Sequence, residues 1–122
     1  MKVTSIELSM QDILDIVSAA AEGGMNYWAE LDEYPWTDWY MKECDIPKAL
    51  ADDYIFFRVS DREGSDFKDL PVTPKVVRDG MMMLLNKYPH QVRIMGGDDL
   101  DVDATGAEMA IQLGLFGELV YG

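Results

Sequence analysis

Basic residues are scarce in this chain, and none follows Arg93. Ten Lys and Arg stand against 23 Asp and Glu, a net charge of −13. A protein so charged repels nucleic-acid phosphates and anionic membranes, so the expected partner is a basic protein surface, with no direct nucleic-acid binding. Solvation alone is the competing reason for such acidity. Cysteine is rarer still. With Cys44 alone, no internal disulfide can form, and a reducing compartment fits. Cys44 and the single histidine, His90, cannot make a zinc set, and neither sits in a nucleophile signature. A glycine-rich phosphate loop is absent too: Gly23-Gly24 and Gly96-Gly97 are isolated turns, and two aspartates follow the second pair. No apolar run approaches the roughly 20 residues of a membrane-spanning helix. The opening MKVTSIELSMQD lacks the basic-then-apolar order of a signal peptide. The expectation is a cytoplasmic, non-enzymatic protein without cofactor or metal.

What is present is enough for a core. At 122 residues with 48% apolar content, residues 1–122 are expected to form a single globular domain. The charge is segregated along the chain. Residues 1–41 hold one Lys and eight acids, a net of −7. Residues 42–93 hold nine bases and nine acids, and residues 94–122 hold six acids and no base.

The hydrophobic pattern predicts an α+β fold, about three helices packed on a small antiparallel sheet, with the C-terminal helix central. Ser9 and Asp12 resemble a capping box, and Met10, Ile13, Leu14, Val17, Ala20 and Ala21 recur at helical spacing up to Gly23-Gly24. Residues 3–8 are a weak strand or a lead-in. Alternation over 25–34 and the β-rich YIFFRVS at 54–60 predict two strands, with a third near Phe67 to Val72 completing a meander. Most of 36–53 reads as loop. Thr73-Pro74 starts a helix that Pro89 blocks, with Val77, Met81, Leu84, Leu85 and Tyr88 as its core stripe. Residues 90–102 read as irregular, with one brief strand at 91–95. Asp103 then caps the last helix, on which Ala107, Ala110, Ile111 and Gly114 form one stripe and Met109, Leu113 and Phe116 another. Its small residues allow a neighbouring backbone to approach closely.

All three tryptophans fall between Asn26 and Asp45, among six acids. Strand alternation places Trp28 with Glu30 and Asp32 on the outer face, although a tryptophan roofing a small core is the plainer alternative. Asp32, Glu33, Tyr34, Trp36, Asp38 and Trp39 are the candidate partner-binding residues, since aromatics beside carboxylates suit a surface rich in Arg and Lys. Asp99, Asp101 and Asp103 have the spacing of a calcium loop, but Ala104 stands where that loop needs Gly and Ala110 where it needs Glu. A lead-in to the helix cap explains them better. Met81 to Met83 read as packing, or alternatively as an adaptable contact surface.

EGGMNYWAELDEYPW at Glu22 to Trp36, TPKVVRDG at Thr73 to Gly80 and GLFGELVYG at Gly114 to Gly122 resemble a group of small acidic bacteriophage and prophage proteins of uncharacterised function. The resemblance implies a phage setting and hence the host cytoplasm. By analogy with other small acidic phage proteins, it implies occlusion of a basic site on a host protein, in the strongest form by DNA mimicry of a nucleic-acid-handling enzyme. The alternative is a small-ligand (nucleotide or metabolite) binding protein or minor enzyme with Arg58 orienting an anion. A third is a homo-oligomeric virion component joined through Met81–Met83.

Overall fold

A computed structural model describes residues 8, 10–25, 27–32, 54–62, 67–95 and 99–121. Helix α1 (Met10–Ala19) runs into a π-helical turn at Ala20–Gly24, closed by the Met25 N–H donating to the Ala20 carbonyl at 3.0 Å. Strands β1 (Ala29–Asp32), β2 (Phe57–Asp61) and β3 (Leu70–Val72) form an antiparallel meander in that order. The expected sheet is therefore present, with Leu31 opposite Val59 and Phe57 opposite Val72. Phe57 and Val59 face the core, while Arg58 and Ser60 between them face outward, the period-2 pattern of a sheet with one face buried. Asp69 takes a left-handed turn (φ 57°) between the second and third strands, and its N–H donates to Ser60 Oγ at 3.1 Å.

Helix α2 (Pro74–Lys87) starts as its sequence dictates: Thr73 Oγ1 accepts from the Val76 N–H at 3.3 Å, and Pro74 fills the first turn. Val77, Met81 and Leu84 are buried; Leu85 and Tyr88 are only half-buried. Met81 belongs to the core, and Met82 and Met83 are half-buried beside it. The brief strand expected at 91–95 is present over 93–95, and a second strand that was not expected follows it at 99–101. After a 3-10 turn at Pro89–Gln91, β4 (Arg93–Met95) and β5 (Asp99–Asp101) pair as a separate antiparallel ribbon. Asp99 and Asp101 thus lie in a paired strand and not in an irregular lead-in to the helix cap.

Helix α3 (Ala104–Phe116) packs against α2, α1, the π-helical turn and β3, so the C-terminal helix is central. Asp103 Oδ1 accepts from the Gly106 N–H at 2.8 Å, and Gly117 (φ 77°) closes the other end in the left-handed conformation. The helices α2 and α3 cross in backbone contact. A Cβ on Gly80 would collide with the Ala110 carbonyl, and one on Gly114 with the Val76 carbonyl. Small residues at this crossing let the two helices share the core of Ile13, Val17, Phe57, Leu84 and Ile111, all fully buried.

Candidate functional site

Of the residues expected to meet a partner, only Asp32 is among those described, as the last residue of β1, in register with Arg58. Glu33, Tyr34, Trp36, Asp38 and Trp39 lie outside the described residues, as do Ser9, Cys44 and residues 3–7 and 36–53. The expected outward placement of Trp28 is corrected. It is 2% exposed, whereas its neighbour Tyr27 is 55% exposed. The strand begins only at Ala29, so Trp28 sits in the preceding turn, where alternation does not govern it. From there its ring stacks on Tyr121 (centroids 5.0 Å apart, planes at 10°) and meets the edges of Phe67 and Phe116. This aromatic cluster clamps the C-terminal tail to the sheet and to α3.

Beneath it lies a polar network that the sequence reading missed. Glu108, 6% exposed, accepts on Oε1 from Trp28 Nε1 at 3.1 Å and from Tyr27 OH at 3.2 Å. Gln112 Nε2, one turn on, donates to the same oxygen. Gln112 Oε1 in turn accepts from the Val120 and Tyr121 N–H groups at 2.9 and 2.8 Å. Burial raises the Tyr27 phenol above its usual 10.0, and the Glu108 carboxylate beside it pushes the same way. A signal for the network was present. Glu108 and Gln112 are polar residues four apart on a helix otherwise almost wholly apolar. That spacing puts them on one face.

An open cleft of about 540 Å³ lies beside this network. Gly23 and Tyr27 border it from the turn after α1, Thr105 and Glu108 from α3, and Leu119 and Tyr121 from the tail. Glu108 is its only charged lining residue among those described. Arg58 is not part of it; its guanidinium donates to the Asp69 carbonyl at 3.4 Å on the outer side of the sheet. His90 is exposed in the 3-10 turn after α2. No protein-family model, curated protein or solved structure matches this chain.

Proposed function

We propose that this is a non-enzymatic acidic binding protein that occupies a basic site on a host protein, in its most specific form a phage-encoded inhibitor that imitates DNA. One observation carries most of the support. Described parts of the two acidic stretches are distant in sequence but packed together, α1 and the turn after it lying on α3 and Trp28 stacking on Tyr121. Asp12, Asp15 and Glu22 on α1 and its following turn therefore lie on elements that adjoin α3, which carries Glu108 and is flanked by Asp103 and Glu118, within stretches whose sequence charges are −7 and −6. Such a field speeds association with a basic partner, while desolvated aromatics, Trp36 and Trp39 in this proposal, set the residence time.

The test is capture from a host lysate at low salt followed by a rising salt gradient. A nucleic-acid-handling protein released by salt, and lost with Glu33→Lys and Asp38→Lys but kept with Cys44→Ser and His90→Ala, supports the proposal. Equal recovery on an unrelated protein of matched charge contradicts it. Reversal at Asp32 is a poorer test, because its register partner is Arg58 and a Lys there would set two bases across the ladder.

The cleft favours a second reading, a small-ligand protein, since its volume falls in the range of ligand sites, about 300–1,000 Å³. Its charged group is then the carboxylate of Glu108 and not the guanidinium of Arg58.

A further inference from the structure

We propose that the cleft beside Glu108 binds an organic cation, an ammonium or guanidinium group on an apolar stem. The Glu108 carboxylate is the counter-charge. Removing a carboxylate from water is unfavourable unless hydrogen bonds and an opposite charge replace the solvent. Glu108 has the hydrogen bonds but not the charge. Its Oε1 holds three donors, from Tyr27, Trp28 and Gln112, all of them neutral side chains. Its Oε2 takes no hydrogen bond from a described residue, and no described Lys or Arg pairs with it. The three donors also fix the carboxylate in place before any ligand arrives, which lowers the ordering cost of binding.

The walls select the sign and shape of the ligand. Among the described residues no Lys or Arg lines the cleft, so none of them competes with a bound cation for Glu108. The N-terminus of α3 would by itself favour an anion, but the Asp103 carboxylate at its N-cap opposes that partial positive charge. Exposed Tyr27 and half-buried Tyr121 offer ring surface to a cation, and Met109 and Leu119 offer apolar surface to its stem. A metal ion suits the place less well, because among the described residues no three acidic, His or Cys side chains converge. The same chemistry is carried by a free amine and by the end of a Lys or Arg side chain.

Trp28 supplies the reporter, because its indole N–H donates to the same carboxylate. Its amide-type NMR cross-peak, assigned with Trp36→Phe and Trp39→Phe, is followed while the whole protein is titrated with cadaverine, agmatine, or Lys and Arg residues capped at both ends. A saturable shift with these probes, absent with pentanol, is expected. Glu108→Gln weakens it about tenfold or more, the effect of losing one buried charge contact. Glu30→Gln, which removes an exposed charge elsewhere, leaves it nearly unchanged. Binding of the free amines alone assigns the site to a small molecule, and binding of the capped residues too assigns it to a partner's side chain. No saturable shift with any probe, or equal binding by the two Gln variants, overturns the proposal. If Glu108→Gln fails to fold, Thr105→Trp at the exposed rim decides: it must block binding, and undiminished binding overturns the site. Failure here leaves salt-dependent capture of a basic partner untouched, so the two proposals fall separately.

Discussion

Every hydrogen-bonding position of Gln112 is used: its oxygen accepts from two tail N–H groups, and its nitrogen donates to Glu108 and, at 3.1 Å, to the Tyr121 carbonyl. Gln112→Ala leaves these groups unpaired next to a fully buried site, and the expected loss is about 2–4 kcal/mol in urea unfolding. A change under about 0.5 kcal/mol would mean that the tail is held by its aromatics alone. Tyr27 gives a pH prediction. Its phenol is raised in the folded state, first by desolvation and then by Glu108, so the neutral form favours folding. That contribution is complete below the ordinary value of 10.0 and is lost as pH climbs from there through the folded value. Tyr27→Phe should flatten the fall of the urea midpoint in that alkaline window; parallel profiles would contradict the assignment. Residue roles of this kind were only half legible in the sequence. The pair Glu108 and Gln112 was visible as an anomaly on an apolar helix, but its partners are set by where a tail eight or nine residues further on docks. Trp28 was misplaced because the strand pattern was carried back past Ala29, where the strand begins.

The elements themselves were legible where local chemistry settles them. Thr73-Pro74 and Asp103 mark helix starts through contacts within one turn, and both caps form as expected. The helix crossing was legible from one side: Gly114 belongs to the small-residue stripe read from the sequence, whereas nothing in the sequence singled out Gly80 on α2 as its counterpart. Gly80→Ala should cost about 2–4 kcal/mol, because the new methyl meets backbone and not a movable side chain. Intrinsic helix propensity alone would give a gain of about 1 kcal/mol. The sign of the measured change therefore distinguishes the two effects. Less legible was the ribbon of β4 and β5. Each strand has three residues, and the second, Asp-Leu-Asp, carries no β propensity. Its pairing is a tertiary outcome that no window of sequence displays.

For the molecule as a whole, charge is the dominant physical fact. Thirteen net negative charges repel one another more in the compact state than in the unfolded chain, so moderate salt should raise the urea midpoint. A midpoint that falls would point to folded-state ion pairs outweighing that repulsion. The acidic residues of α1 and its following turn adjoin those of α3 and its cap, and this is the basis for proposing a basic partner. Calorimetric titration of the captured partner into the wild-type protein and into Glu33→Lys, Asp38→Lys at low and high salt tests this most directly. Tight binding at low salt that weakens steeply both with added salt and with charge reversal is expected. Affinity indifferent to both would contradict it.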